Sequence, residues 1–252
     1  MGKTLKAVIF DVDGTLADTE RDGHRKAFNR VFQEMGFSWN WDEKLYGELL
    51  KVTGGKERIL HFVKTSKPGD SLDEIEKIVG EMHVRKNKIY EEILKKGEIQ
   101  FRPGVIRLID ELHGAGVTLA IATTTSVENI HALFFDERES ILKKFAVIGA
   151  GDIVPRKKPD PGIYTYVLNH LNLKAEEALA VEDSLNGIKS STAASLKTII
   201  TVNDYTKNDD FSGAALVLSD LGEPEAPCKV LAGSKLKKGY LDLQSLVEVF
   251  EK

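Results

Sequence analysis

The chain has 252 residues, 42% hydrophobic and 29% charged, with a net charge of −4. That is enough for one large domain or two modest ones around a packed core, and the slightly acidic balance excludes a nucleic-acid-binding face, leaving at most a local basic pocket. One cysteine, Cys228, rules out an intrachain disulfide and fits a reducing compartment. No apolar run approaches about 18 residues. The start MGKTLK lacks both a signal-peptide core and a myristoylation pattern. The expectation is a soluble, cytoplasmic monomer that meets neither membrane nor nucleic acid; from a plant or alga it would sit in the chloroplast stroma, with a transit peptide absent from this chain.

Residues 6–10 (KAVIF) form a short apolar run that ends in DVDGT, a buried strand feeding an acidic turn. The character then changes, and residues 20–96 read as helical throughout. Ala27, Phe28, Val31, Phe32 and Met35 recur at helical spacing before Gly36. Leu45, Tyr46, Leu49 and Leu50 make a second apolar face. Ile59, Leu60, Phe62 and Val63 make a third, closed by the loop SKPGD. Ser71 and Glu74 predict a cap for a long helix that runs to Lys95–Lys96–Gly97.

From residue 103 helices and apolar runs alternate. Helix 105–113, strand 117–122, helix 127–135, strand 145–148, helix 160–171, strand 178–182, helix 185–194 and strand 197–202 predict a parallel sheet covered on both faces. Residues 222–240, rich in Gly, Pro and Lys, fit no element, and 241–250 read as a terminal helix. The expected fold is an α/β Rossmann-like core (1–18 and 97–252) interrupted by an all-helical cap (19–96).

Ligands of open α/β sheets bind at the carboxyl ends of the strands, so the residues that follow each strand are the ones to read. They are Asp11, Asp13, Gly14 and Thr15 after the first; Thr123 after 117–122; Lys157, Lys158 and Pro159 beyond 145–148; and Glu182–Asp183 closing 178–182. Two acid pairs, a hydroxyl and a cation thus converge. Hydrolysis of a phosphate monoester suits such a set. Asp11 is placed to attack phosphorus, splitting a slow step in two through an aspartyl-phosphate. Asp13 protonates the leaving oxygen and later deprotonates water. Four carboxylates in one pocket repel one another and call for Mg²⁺, a cation that takes oxygen ligands. Asp11, the Asp13 carbonyl and Asp183 are the expected ligands, with Glu182 behind them or reaching the metal site through a water. Lys158, Thr123 and amides at the start of helix 127–135 would hold the phosphoryl oxygens. Against this, Glu182–Asp183 could cap helix 185–194, as Ser184 could equally, and Thr123–Thr125 could cap helix 127–135.

DVDGT, the strand ending in Thr123, Lys158–Pro159 and Glu182–Asp183 resemble, in order and spacing, the four motifs of the haloacid dehalogenase superfamily. The helical insertion resembles the subclass with a cap between the first two motifs. DTERDGH, ELLKVTGGKERI, RPGV, ATTTS, KKPDPGIY and VEDSLNG are similar to the CbbY-type sugar phosphatases. That resemblance implies a Mg²⁺-dependent phosphatase whose small-molecule substrate is xylulose 1,5-bisphosphate, a by-product of Rubisco in the Calvin cycle. It also implies substrate contacts from Glu20 and His24, from Lys86, and from Thr124, Thr125 and Ser126.

In the cap, Thr53, Gly54, Gly55, Lys56 and Arg58 resemble a glycine-rich anion loop, although Glu57 stands where a nucleotide-binding loop needs Ser or Thr. They are expected to hold a second phosphate as the cap closes like a lid over the strand ends. A phosphomutase of the β-phosphoglucomutase type, a broad sugar-phosphate phosphatase and a non-catalytic binding module are the alternatives. The last would have lost Asp11, Asp13 or Asp183, and all three are present.

Overall fold

The computed structural model describes residues 4–67 and 69–252; residues 1–3 of the start MGKTLK and Pro68 of the SKPGD loop lie outside them. Two compact units emerge. One is Thr19–Ile99; the other joins Met1–Asp18 to Gln100–Lys252.

The first unit opens with a π-helical turn, Glu20–His24, that continues into α1 (Arg25–Glu34). Then come α2 (Glu43–Leu49), α3 (Gly55–Ser66) and the long α4 (Leu72–Lys95). Asp42 accepts from the Leu45 amide to start α2, and Ser71 accepts from the Glu74 amide to start α4. The expectation of unbroken helical character fails between α1 and α2. There the extended stretch 37–42 carries Trp39 and Trp41, both buried. Asn29 holds this stretch in place: its amide group donates to Trp41 O at 2.8 Å and accepts from Trp41 N at 2.7 Å. Trp41 packs on Phe28 (4.7 Å between centroids), and Trp39 on Phe32 (5.3 Å) and Phe62 (5.6 Å). This aromatic core belongs to the helical unit alone, and burying each such ring contributes roughly 1.5–3 kcal/mol.

The second unit is built on β1 (Ala7–Phe10), β2 (Thr118–Ala122), β3 (Phe145–Gly149), β4 (Ala178–Glu182), β5 (Lys197–Thr201), β6 (Leu216–Leu218) and β7 (Val230–Ala232). The order across the sheet is β3-β2-β1-β4-β5-β6-β7, parallel except for the antiparallel pair β6–β7. Its helices are α5 (Val105–Gly114), α6 (Val127–Leu133), the short α7 (Glu139–Leu142), α8 (Gly162–Leu171), α9 (Leu185–Ala193) and α10 (Leu243–Glu251). Ile163, Tyr164, Val167 and Leu168 of α8 pack on Ile9, Ala120 and Ala180, while Ile188 of α9 packs on Ile200 and Val217. β1 and β4 are covered on both faces and buried at every position, which is why both are apolar runs, broken only by Glu182 at the end of β4.

Sequence reading did not place residues 222–240. They carry β7, and the segment is fastened to α5 by Arg107, whose guanidinium donates to Gly222 O and Leu241 O at 2.9 Å each. Among the described residues no helix is long and apolar enough to cross a membrane.

The sheet's order reverses at β1: the chain goes from β1 to β2 and β3 on one side, then crosses to β4 on the other. The crevice for a ligand opens at this point, at the carboxyl ends of β1, β2 and β4. The register sets Phe10 beside Ile121 and Val181. Asp11, whose amide donates to Val181 O at 3.0 Å, therefore emerges level with Ala122 and Glu182.

Candidate active site

Asp11 is buried, and so are Thr123, Lys158, Glu182 and Asp183. The Lys158 ammonium has three protons, and they are aimed at Asp11 Oδ1 (2.6 Å), Ala122 O (2.8 Å) and Glu182 Oε1. Glu182 also accepts from the buried Tyr164 hydroxyl at 2.6 Å. Asp183 Oδ1 accepts from the Thr15 hydroxyl at 3.3 Å, and its Oδ2 from Asn203 Nδ2 at 2.7 Å. Two glycines make room for these carboxylates. A Cβ on Gly14 (φ +83°) would lie 2.3 Å from Asp183 Oδ2, and one on Gly187 would lie 1.8 Å from Glu182 Oε2.

The capping alternatives resolve in favour of other residues. Ser184 caps α9 by accepting from Gly187 N (3.0 Å), and Ser126 caps α6 by accepting from Asn129 N (3.3 Å). Thr123 O γ1 accepts from Thr125 N (3.3 Å), which leaves the hydroxyl proton of Thr123 as a donor. Thr125 accepts from Asn129 Nδ2 at 3.0 Å, and Thr124 is half-buried at the same turn. Lys157 pairs with the exposed Asp152 at 3.1 Å, at the periphery.

Arg102, which opens the RPGV segment, fastens the turn after β1 to the sheet. Its guanidinium donates to Gly14 O, Val202 O, Thr201 O (3.1 Å) and Ser219 O (2.9 Å), and it pairs with Asp18 at 3.3 Å.

Asp11, Glu182 and Asp183 bring carboxylate oxygens within 4.8 Å of one another. A single buried ammonium does not balance them. Burial pushes the Asp11 carboxyl up to about 8 despite the opposing pull of Lys158, and Glu182 and Asp13 add to the rise. Burial by itself would lower Lys158, but the Asp11 and Glu182 carboxylates outweigh it and hold the ammonium above its ordinary range. Burial, followed by the charge of Glu182, also lifts Tyr164, which stays a neutral donor. A divalent cation among these oxygens would favour ionised Asp11. An all-oxygen, net negative donor set of this kind suits Mg²⁺. Asp13, half-buried, lies on the turn between Asp11 and Gly14.

In the helical unit two hydrogen-bonded networks hold expected residues, Arg58 with Glu20 in one and Lys86 with His24 in the other. Arg58, expected to face an anion, turns inward instead. It is buried, and donates from Nε to Leu49 O (3.2 Å) and Val52 O (3.3 Å) and from Nη1 to the Tyr46 hydroxyl (3.1 Å), which in turn donates to Glu20. Lys86 is likewise buried; its ammonium sits 2.6 Å from His24 Nδ1 and over the rings of Phe28 (4.9 Å) and Tyr90 (4.7 Å). With Lys86 as donor, His24 accepts at Nδ1 and carries its proton on Nε2. In the anion loop Gly54 has φ +97°, and the Glu57 carboxylate folds back so far that a Cβ on Gly54 would lie 2.1 Å from it. Thr53, Gly55 and Lys56 are half-buried around the start of α3.

Sequence reading passed over Tyr164, Asn203 and Arg102 as site residues. Asn203 carried a usable signal, because it is the first polar residue beyond the strand expected at 197–202 and so stands at a strand end like the others.

A carboxylate held by a lysine at the switch point of a parallel sheet, with two more acids and a hydroxyl beside it, is a set suited to hydrolysis. Residues 8–201 match the haloacid dehalogenase-like hydrolases, and the chain belongs to that family as a phosphatase. It is 42% identical over 225 residues to "Protein CbbY, plasmid" of Cupriavidus necator, covering 88% of each chain. CbbY from Rhodobacter sphaeroides, solved in complex with phosphate, superposes with a TM-score of 0.77 at 41% identity, covering 86% of this chain and 95% of that one. An Asp-to-Asn variant of that protein, solved with xylulose-(1,5)bisphosphate, gives 0.78 at 41% identity, covering 88% and 96%.

Proposed function

We propose that this chain is a Mg²⁺-dependent phosphatase of a sugar bisphosphate, xylulose 1,5-bisphosphate, and that it works through an aspartyl-phosphate on Asp11. The observation that carries the reading is the buried contact of Asp11 with Lys158 beside Glu182 and Asp183. The similar protein bound to xylulose-(1,5)bisphosphate supports the choice of sugar.

Asp11, Asp183, Glu182 and the Asp13 carbonyl would hold the cation, which when bound neutralises the carboxylates and the phosphoryl oxygens. Asp11 attacks phosphorus while the bond from phosphorus to the sugar oxygen breaks, and Asp13 gives its proton to that oxygen. Asp13 then takes a proton from water as the water attacks the aspartyl-phosphate. Phosphate leaves and the Asp11 carboxylate is restored. Lys158 Nζ, 2.6 Å from Asp11 Oδ1, stands beside any phosphoryl group carried on that carboxylate, and Thr123 adds its hydroxyl. The second phosphate is assigned to the helical unit's loop of Thr53, Gly54, Gly55 and Lys56.

The test is phosphate release from a panel of sugar mono- and bisphosphates, with Mg²⁺ and with excess chelator, together with analysis of the sugar product. The expected result is the highest kcat/KM for xylulose 1,5-bisphosphate, a dephosphorylated product, and no turnover in chelator. Full activity in chelator, preference for monophosphates, or an isomerised phosphosugar as the main product would overturn the reading.

A further inference from the structure

We infer that Asn203 is a positioning residue for Asp183, aiming that carboxylate at the divalent cation without neutralising it; the inference rests on the Mg²⁺ assignment above. Asn203 follows β5, the neighbour of β4 in the sheet, so the topology places it beside the end of the strand that Asp183 follows. Its amide orientation is fixed by its own turn. Asn203 Oδ1 accepts from Tyr205 N at 2.9 Å, Asn203 N donates to the Thr206 hydroxyl at 3.0 Å, and Asn203 O accepts from Thr206 N (3.1 Å) and Lys207 N (3.0 Å). With Oδ1 committed to this turn, Nδ2 is the end that meets Asp183 Oδ2, at 2.7 Å.

The turn that follows β1 meets the same carboxylate: the Thr15 hydroxyl donates to Oδ1, and Gly14 leaves room beside Oδ2 and the Asn203 amide. Asp183 is thus held from two segments far apart in sequence, and the donors from both, the Thr15 hydroxyl and the Asn203 amide, are neutral. The neutrality matters. An arginine or lysine in that place would orient the carboxylate equally well but would compete with the cation for its charge, whereas an amide or hydroxyl fixes direction and leaves the charge in place. Lys158 contacts Asp11 and Glu182. Outer partners of this kind typically account for 10- to 100-fold in metal affinity.

The test uses the variant Asn203→Ser in the full chain. A serine hydroxyl still accepts from the amide two residues on, which preserves the turn, but it is too short to reach Asp183. Thr206→Val serves as control, loosening the turn while leaving the amide on Asp183. Mg²⁺ affinity is read by calorimetry on metal-free protein, alongside the metal-free thermal midpoint and the Mg²⁺ concentration for half-maximal phosphate release. The expected result for Asn203→Ser is a roughly 10- to 100-fold weaker Mg²⁺ Kd, an unchanged metal-free midpoint, and kcat recovered within a few-fold at high Mg²⁺. An unchanged Kd would overturn the inference, and so would an equal loss in Thr206→Val, which would make the effect one of the turn. Wild-type protein separates the two readings. If it binds no Mg²⁺, the cofactor assignment itself fails; if it binds and Asn203→Ser binds equally, only the role of Asn203 falls.

Discussion

In the α/β unit the charged groups stand on loops that leave neighbouring strands at the same end, and their partners are mostly one another: Asp11 with Lys158, Lys158 with Glu182, Asp183 with Thr15 and Asn203. In the helical unit Arg58 and Lys86 stand on helices; Arg58 donates to the carbonyls of Leu49 and Val52 and to the Tyr46 hydroxyl, and Lys86 meets His24 and the rings of Phe28 and Tyr90. The first arrangement concentrates unbalanced negative charge where a ligand crevice opens, and so it is poised for chemistry. The second engages the Arg58 guanidinium within its own unit, and a guanidinium so engaged has little left to give a substrate. Position in the fold, more than residue type, separates the clustered acids of the strand ends from the architectural Arg58 in this molecule.

The strongest break in that comparison would come at Asp11. Asp11→Asn keeps shape but removes the nucleophile, and loss of a nucleophile costs on the order of 10⁴-fold or more in kcat. Phosphate release should fall to background while the thermal midpoint holds. Turnover near the wild-type rate would show that the strand-end cluster is structural.

Asp13→Asn should have the next largest effect, about 10²- to 10⁴-fold for a sugar ester, the range of general acid–base catalysis. A nitrophenyl leaving group needs little protonation, so its phosphorylation step, read as a burst, should be slowed much less. Equal slowing of that step for both esters would remove Asp13 from the acid role.

Lys56→Ala probes the other unit. One charged hydrogen bond to phosphate contributes about 1.5–3 kcal/mol, so kcat/KM for the bisphosphate should drop roughly 10- to 150-fold. Nitrophenyl phosphate, with no second phosphate, should be nearly unaffected. A loss shared by both substrates would move Lys56 into the architectural group with Arg58.

The sequence made the core site legible for a physical reason. Strands buried on both faces carry unbroken apolar runs, AVIF in β1 and ALAV in β4, so where each run ends, and the acid that ends it, can be read directly. The edge strands LVL and VLA are too short to show any period, and residues 222–240 went unplaced because β7 is defined by its pairing to β6 and by Arg107. Asn203 was within reach of the strand-end rule. Arg58 was not: the groups that hold it are largely the carbonyls of Leu49 and Val52, and every residue has a carbonyl, so no pattern of side chains announces which ones converge on a guanidinium.

That makes Arg58 the finest test of the contrast, and the one with the smallest expected effect on catalysis. Sequence reading grouped it with Lys56 as a phosphate contact, whereas its guanidinium is engaged by Leu49 O, Val52 O and the Tyr46 hydroxyl, the last tied to Glu20. Removing it leaves buried acceptors without donors, at a cost of about 1–3 kcal/mol. For a chain of this size that lowers the thermal midpoint by roughly 2–10 °C. Arg58→Ala should therefore melt earlier, and below its midpoint it should lose no more than a few-fold in kcat/KM, alike for the bisphosphate and for nitrophenyl phosphate. Arg58→Lys sharpens the reading. Lysine keeps the charge but not the fork that reaches three acceptors at once, so a strut would still be weakened, whereas a contact that needs only positive charge near a phosphate would be largely preserved. If Arg58→Lys restores stability and activity together while Arg58→Ala loses only the bisphosphate, the guanidinium reads substrate after all, and the division between catalytic and architectural charge does not follow the boundary of the two units.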